Sequence, residues 1–98
     1  MSKRIEQYIL NADENKQPTV IDITHQYRIL DLHIIDERYI VSLEYDLEYP
    51  VSGRNSYLEL LMLYNHEEVP DDYSYFRSFV VDGKFICYIY TKTYTQVK

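Results

Sequence analysis

Residues 38–49 read RYIVSLEYDLEY, and aromatic or aliphatic side chains alternate with mainly polar ones along the whole stretch. Successive side chains of a β-strand point to opposite sides of the sheet, so this alternation predicts a long strand with one buried face. The odd positions, which we expect to face the core, carry Tyr39, Val41, Leu43, Tyr45, Leu47 and Tyr49. The even positions, which we expect to face water, carry Arg38, Ile40, Ser42, Glu44, Asp46 and Glu48.

The segment before this strand, residues 28–35, is expected to pair with it as a hairpin. A two-residue turn at Asp36 and Glu37 brings the apolar pairs of the two strands to one side, as a buried face requires. Asp-Glu is not a favoured sequence for so tight a turn, and a loop of four residues is the alternative. The tight turn pairs Ile34 with Tyr39, Leu32 with Val41 and Leu30 with Leu43.

A second hairpin is predicted near the C-terminus, around Asp82 and Gly83. Asp-Gly is a strong signal for a type I′ turn, because both central residues of that turn need a positive φ. The resulting register places one face in the core, with Val80 opposite Phe85, Ser78 opposite Cys87 and Phe76 opposite Ile89. The other face carries Phe79 with Ile86, Arg77 with Tyr88 and Tyr75 with Tyr90. Both faces are partly apolar, so either both are covered or one is an aromatic contact surface.

The remaining segments give weaker signals. Residues 2–11 favour a short helix, because Ser2 can act as its N-cap and the apolar side chains at positions 5, 8 and 9 share one face. Residues 19–24 are β-branched and alternate, as in a strand. Residues 56–64 fit a helix with a capping box or a strand buried on both sides, and their shortness favours the strand.

Together these segments predict a mainly β fold, with a β-rich α+β fold as the alternative. We expect an antiparallel sheet of about five to six strands built from hairpins, with one short N-terminal helix beside it. A chain of 98 residues has the size of one domain, so residues 1–98 are expected to form a single β-rich domain.

Composition excludes several classes of protein. The longest uninterrupted apolar run, residues 60–64, is far shorter than the about 20 residues of a membrane span. The N-terminus shows no apolar signal segment, and Cys87, the only cysteine, cannot form an internal disulfide. We therefore expect a cytoplasmic protein without a membrane partner. The formal net charge of −6 opposes direct binding to nucleic acid and favours a basic protein as partner.

No residue pattern in the sequence indicates catalysis, a cofactor or a metal. His66 and Glu67 begin like a zinc-protease motif, but the second histidine is missing and Pro70 stands where the helix would continue. The histidines and the aspartate at positions 25, 33 and 31 lack a supporting motif. Cys87 is expected in the core, where a thiol is unreactive. We therefore predict a protein that is not an enzyme and that has no cofactor.

Negative charge is concentrated in residues 44–72, which hold eight acidic residues and one basic residue, Arg54. Tyrosines accompany the acids at positions 45, 49, 57, 64, 73 and 75, and tyrosine is common at protein interfaces. A solvated face that keeps the protein soluble is the alternative reading of these charges. The candidate protein-binding residues are Glu44, Asp46, Glu48, Glu67, Glu68, Asp71, Asp72 and Tyr73.

These features predict a non-enzymatic binding protein that docks an acidic, tyrosine-bearing face on a basic partner. A nuclease or another nucleic-acid-binding enzyme is such a partner, and small acidic inhibitors of this kind occur as toxin-immunity proteins and as phage anti-defence proteins. The first alternative is a structural or adaptor protein that self-associates, for example as a homodimer. A small enzyme is the second alternative.

Overall fold

The computed structural model describes residues 2–11, 17–51 and 54–97, and the regular secondary structure of these residues is entirely β. None of them belongs to a helix that could cross a membrane. Seven strands follow one another: β1 (Lys3–Ile9), β2 (Thr19–Ile23), β3 (His25–Ile35), β4 (Arg38–Pro50), β5 (Arg54–Leu63), β6 (Ser74–Val81) and β7 (Phe85–Val97).

The strands form two antiparallel sheets. The three-stranded sheet has the order β1-β4-β3, and the four-stranded sheet has the order β2-β5-β7-β6. One hydrophobic cluster contains Val41 and Leu43 of β4 together with Leu58 and Leu60 of β5 and Ile89 of β7. The sheets therefore pack face to face, and each has an inward and an outward side. The predicted mainly β, antiparallel fold is confirmed, with two sheets and seven strands.

β4 is the central strand of the three-stranded sheet and shows the predicted alternation. Val41, Leu43 and Tyr45 point inward and are 0%, 0% and 1% exposed. The inward side is less covered toward the end of the strand, where Leu47 is half-buried and Tyr49 is exposed. The first half of the alternating stretch therefore contributes the side chains that lie in the centre of the core.

The hairpin of β3 and β4 closes through the predicted two-residue turn. Asp36 and Glu37 have φ angles of 51° and 65°, and positive φ at both central positions is typical of a type I′ turn. This turn type matches the right-handed twist of the two strands, so the unfavoured residue pair is tolerated. The four-residue loop is not formed.

The register of this hairpin agrees with the prediction near the turn and departs from it farther away. The confirmed pairs are Ile34 with Tyr39 and Leu32 with Val41. The predicted pair of Leu30 with Leu43 is wrong, because the register shifts at Leu30 and brings Ile29 opposite Leu43. Such a β-bulge inserts one unpaired residue into one strand, and alternation in the sequence does not reveal it.

The predicted N-terminal helix is wrong, since these residues form β1, an edge strand paired with β4. Ile5 and Ile9 point outward and are 60% and 56% exposed. Tyr8 points inward, and its hydroxyl lies 2.9 Å from the hydroxyl of Tyr45. Both sides of the strand are only partly covered, so its residues do not alternate clearly. A helix of this length is only marginally stable by itself, whereas β1 is stabilised by pairing with β4.

The ambiguous residues 56–64 lie almost entirely in β5, so the prediction of a strand is confirmed. β5 lies between β2 and β7, and side chains on both of its sides are buried. A strand covered on both sides explains the continuous apolar run. The strand predicted at residues 19–24 is confirmed as β2. The buried side chains of β5 are Leu58, Leu60 and Met62 on the inward side and Leu61 and Leu63 on the outward side.

The hairpin of β6 and β7 has the predicted turn but not the predicted register. Asp82 and Gly83 have φ angles of 55° and 65°, and the backbone N–H of Lys84 donates to the carbonyl oxygen of Val81 at 3.0 Å. Lys84 is an additional residue between the strands, so Val81 lies opposite Phe85. The whole adjoining part of β6 is therefore shifted by one residue.

This shift reverses the two sides of β6. Val80, predicted in the core, points outward and is 59% exposed, and Phe85 at the turn is also 59% exposed. A second register shift, at Phe76, compensates the first, so the predicted pair of Tyr75 with Tyr90 is confirmed. The other predicted pairs are replaced by Val80 with Ile86, Phe79 with Cys87, Ser78 with Tyr88 and Arg77 with Ile89. Cys87 and Ile89 are fully buried, as predicted.

Arg77 and Phe79 of β6 contact the three-stranded sheet. The Arg77 guanidinium donates to the carbonyl oxygen of Leu32 at 3.3 Å and forms an ion pair with Asp31. The ring of Phe79 stacks on that of Tyr39, with centroids 5.5 Å apart. These contacts connect β6, an edge strand of the four-stranded sheet, to β3 and β4 of the other sheet. They close the core along this edge.

Gly83→Val is expected to lower the free energy of unfolding by about 1 kcal/mol or more, because a β-branched residue resists positive φ. No atom lies within 4 Å of the position that a Cβ would take, so the cost is backbone strain and not a steric clash. Urea denaturation measures the effect. Asp82→Gly is the control, and we expect it to cost less, since glycine adopts the φ of 55° freely. Equal stability of Gly83→Val and the wild type would contradict this turn.

Candidate protein-binding surface

The outward side of the four-stranded sheet carries a continuous group of tyrosines, which we call the tyrosine face. Its members are Tyr57 of β5, Tyr75 of β6, and Tyr88, Tyr90 and Tyr94 of β7. Tyr57 stacks on Tyr94 with centroids 5.1 Å apart, and Tyr75 meets Tyr90 edge-on at 5.8 Å. Cross-strand aromatic pairs of this kind fix the rings in place. Tyr75 remains 56% exposed, and Tyr88 and Tyr94 remain 36% and 37% exposed.

Residues 64–73 connect β5 to β6 and cross the tyrosine face; we call them the acidic crossover. Because β7 lies between β5 and β6, the connection must pass it. The hydroxyl of Tyr73 donates to Glu59 Oε1 at 3.3 Å, on the outward side of β5. Leu61 and Leu63 also point outward, yet they are only 7% and 5% exposed. The crossover therefore covers these leucines.

The first turn of the acidic crossover is held by its own glutamate. Glu67 Oε1 accepts a hydrogen bond from the Tyr64 backbone N–H at 2.9 Å, and the Glu67 N–H donates to the Tyr64 carbonyl oxygen at 3.2 Å. Asp72 takes a positive φ of 70° just before β6. Glu68, Asp71 and Asp72 are exposed. The fixed backbone thus presents three carboxylates to solvent.

Negative groups on the strands extend this acidic surface. Asp22 of β2 and Glu59 of β5 lie on the outward side of the four-stranded sheet. Desolvation, and after it the negative charge of Glu59, raises the pKa of Tyr73 and that of Tyr94. Tyrosine hydroxyls are protonated at neutral pH with or without such a shift, and these two can donate hydrogen bonds. Lys92 lies among them, with Nζ 5.7 Å from the ring centroid of Tyr73 and 5.5 Å from that of Tyr94.

The eight candidate residues are divided between two opposite sides of the molecule. The acidic crossover holds Glu67, Glu68, Asp71, Asp72 and Tyr73. The other three belong to β4 on the three-stranded sheet, where Glu44 and Asp46 point outward and Glu48 is exposed. A single docking surface therefore cannot include all eight. Their separation depends on the order of the strands, which the sequence does not display.

The three acids of β4 are arranged differently from those of the crossover. Glu44 is paired with Arg28 Nε at 3.0 Å and with Lys3 Nζ at 3.7 Å, and its side chain is only 18% exposed. The hydrogen bond from Arg28 lowers the pKa of Glu44. Asp46 Oδ1 accepts from the backbone N–H of Glu48 at 3.1 Å. Glu44 and Asp46 lie on the predicted side of the sheet, but bases of both neighbouring strands compensate Glu44.

A groove of about 890 Å³ opens at the end of the tyrosine face, beside the β6–β7 turn. Tyr88 belongs to both, so the groove is continuous with the face. Its apolar walls are Tyr64, Val81, Phe85, Ile86 and Tyr88, and its polar rim includes Asn65, Asp82 and Lys84. An apolar side chain of a partner could bind in this groove, because binding would remove the aromatic rings of its walls from water.

The sequence candidates for a reactive thiol and for a metal site are placed as follows. Cys87 is fully buried and interacts with Tyr64. Burial raises the pKa of the Tyr64 hydroxyl to about 12. Asp31 and His33 approach to 3.6 Å, but Asp31 is also held by Arg77. Within residues 2–11, 17–51 and 54–97, no group of three His, Cys, Asp or Glu side chains could hold a metal ion.

The eight candidate residues do not include β7, although the sequence assigns Tyr88 and Tyr90 to one side of the C-terminal hairpin as a possible aromatic contact surface. Tyr88, Tyr90, Lys92 and Tyr94 recur at every second position, and this period of two places them on one side of a strand. That pattern could have indicated the tyrosine face. Comparisons of the chain with models of protein families, with curated proteins and with solved structures found no match.

Proposed function

We propose that this protein is a non-enzymatic inhibitor that docks its tyrosine face and acidic crossover on a basic protein. A nuclease or another nucleic-acid-processing enzyme has the required chemistry, because its own substrate is a polyanion and its active site is lined with bases. The observation that carries the proposal is the group of exposed tyrosines beside exposed carboxylates on one side of the molecule. The cytoplasm is the setting we propose for this interaction.

The tyrosines supply the affinity in this proposal. Tyrosine buries a large area with few rotatable bonds, and its hydroxyl can donate to or accept from a partner. The rings of Tyr57 and Tyr94 are already stacked on each other, so binding orders them at little additional entropic cost. Tyr75 and Tyr88 are accessible beside them. The groove at Tyr88 offers a site for one apolar anchor of the partner.

The acidic crossover supplies the attraction at long range. Exposed carboxylates at positions 68, 71 and 72 produce a negative potential that steers a basic protein toward this side. Glu44 on the opposite side is already paired with two bases and offers less charge to a partner. We therefore assign docking to the crossover residues and not to the acids of β4.

The expected result of Glu68→Lys with Asp71→Lys is an association rate at least about tenfold slower, because the steering charge is reversed. The control is Asp46→Lys with Glu48→Lys, which changes the net charge equally on β4 of the other sheet. Biolayer interferometry against a panel of purified nucleases with pI above about 9 measures the rates. Rates should also fall between about 50 and 500 mM NaCl, as the Debye length shrinks.

Three outcomes would reject this assignment. If no nuclease of the panel binds, a basic enzyme is not the partner. Binding that is equally fast in the crossover variant and in the control variant would exclude the crossover as the steering surface. Binding that does not respond to salt would exclude electrostatic docking. Loss of nuclease activity in the presence of the wild-type protein, measured on duplex DNA, would support inhibition.

A further inference from the structure

The outward side of the three-stranded sheet carries a strip of exposed isoleucines, which we call the isoleucine face. Ile9 of β1 lies opposite Ile40 of β4, and Ile35 of β3 lies beside the same end of the sheet. Ile9 and Ile35 are 56% and 54% exposed, and Ile5, farther along β1, is 60% exposed. His33 and Arg38 lie among these isoleucines, and exposed apolar side chains on one side of a sheet indicate an interaction surface.

The charges on this side of the sheet are balanced. The bases that point outward are Lys3, Arg28 and Arg38, and the acids are Asp31, Glu44 and Asp46, with Glu48 exposed farther along β4. Glu44 is paired with both Lys3 and Arg28. Arg77 of β6 pairs with Asp31, and with this pair included the four acids and four bases cancel, so the formal net charge of −6 belongs to the rest of the chain. The isoleucine face is therefore neutral on an acidic protein.

We propose that the isoleucine face is the interface of a homodimer. A second copy carries the same charge of −6, so it is repelled from the tyrosine face and from the acidic crossover. The isoleucine face does not repel it, and a two-fold axis through this face places apolar strip on apolar strip. Two sheets stacked in this way lie about 10 Å apart, with their side chains interdigitated.

A basic partner is the less suitable occupant of this face. Its charges would meet Lys3, Arg28 and Arg38, and the carboxylate of Glu44 is already compensated. A homodimer through the isoleucine face leaves the tyrosine face of each copy free, because the two faces are on opposite sides. The inference therefore does not depend on the proposed inhibitor function.

The experiment is sedimentation velocity of the wild-type protein from about 5 to about 500 µM, since weak interfaces of small area associate in this range. We expect the sedimenting mass to rise from 11.9 kDa toward twice that value. Higher salt is expected to strengthen the dimer, because salt screens repulsion between the acidic remainders of the two copies. Docking on a basic protein has the opposite salt dependence, so the two proposals are tested separately.

Ile9→Lys and Ile35→Lys are each expected to raise the dissociation constant at least about tenfold, because an ammonium buried without a partner is costly. Val80→Lys is the matched control, since Val80 is 59% exposed on the opposite side. Thermal unfolding followed by circular dichroism checks that each variant folds. Two variants on different strands keep the test valid if one of them fails to fold.

A wild-type protein that stays monomeric at about 500 µM in high salt would overturn the proposal. A dimer that survives both isoleucine variants would also overturn it. Dissociation by Val80→Lys alone would place self-association on the tyrosine face. Loss of the dimer in both isoleucine variants, with Val80→Lys unaffected, is the result that supports the isoleucine face.

Discussion

Leu43→Ala is expected to lower the free energy of unfolding by about 2–5 kcal/mol, the range of buried leucine truncations. Leu43 is fully buried in the centre of the core, between the three-stranded and the four-stranded sheet. A small domain is stable by only about 5–15 kcal/mol, so this one truncation removes a large share. Urea denaturation followed by circular dichroism measures the loss, with the slope of the transition as a check of two-state unfolding.

The control for this prediction lies on the same strand. Glu48→Ala changes an exposed side chain of β4, and it is expected to alter the free energy of unfolding by no more than about 0.5 kcal/mol. The two variants together test the alternation of β4. Similar losses in both would contradict the assignment of Leu43 to the core.

The second large effect is expected at alkaline pH. Burial raises the pKa of Tyr64 to about 12 and also raises that of Tyr45 above its ordinary value of 10.0. The unfolded chain releases these protons near pH 10, whereas the folded protein keeps them. The unfolded state then binds fewer protons, so stability is full below pH 10 and falls as the pH rises toward 12. Each tyrosine contributes a loss of up to about 1.4 kcal/mol per pH unit.

Urea midpoints between pH 8 and pH 11.5, together with the tyrosinate absorbance, measure this loss. Tyr64→Phe is expected to reduce the steepness of the decline above pH 10 by up to about 1.4 kcal/mol per pH unit, because one titrating group is removed. Tyr45→Phe is the parallel variant on the other sheet. If both variants decline as steeply as the wild type, neither buried hydroxyl is responsible.

Sequence patterns predicted the strands in which burial of one or both sides determines the order of apolar and polar residues. β4 alternates because one of its sides is the core, and the continuous apolar run of β5 reflects burial on both sides. The prediction of a helix at β1 is wrong because an edge strand with exposed isoleucines lacks such a pattern. The inserted Lys84 reversed the sides assigned to Phe79 and Val80, since a shift of one residue exchanges the two faces of a strand.

The candidate surface was predictable in composition but not in arrangement. The acids of the crossover and of β4 were identified, and the structure places them on opposite sides. Which side a residue occupies depends on the pairing of distant strands, here β1 with β4 and β5 with β7. Local periodicity carries no information about that pairing. The tyrosines of β7 show a period of two, which gives their common side but not their neighbours.

The position of β2 in the four-stranded sheet has a consequence for synthesis of the chain. The first half of the sequence contains the whole three-stranded sheet together with β2, whose partner β5 belongs to the second half. During translation, β2 and the apolar inner side of the first sheet remain uncovered until β5 leaves the ribosome. Slow translation of residues 54–97 is therefore expected to increase aggregation of the nascent chain, since unpaired strands and exposed apolar sides promote it.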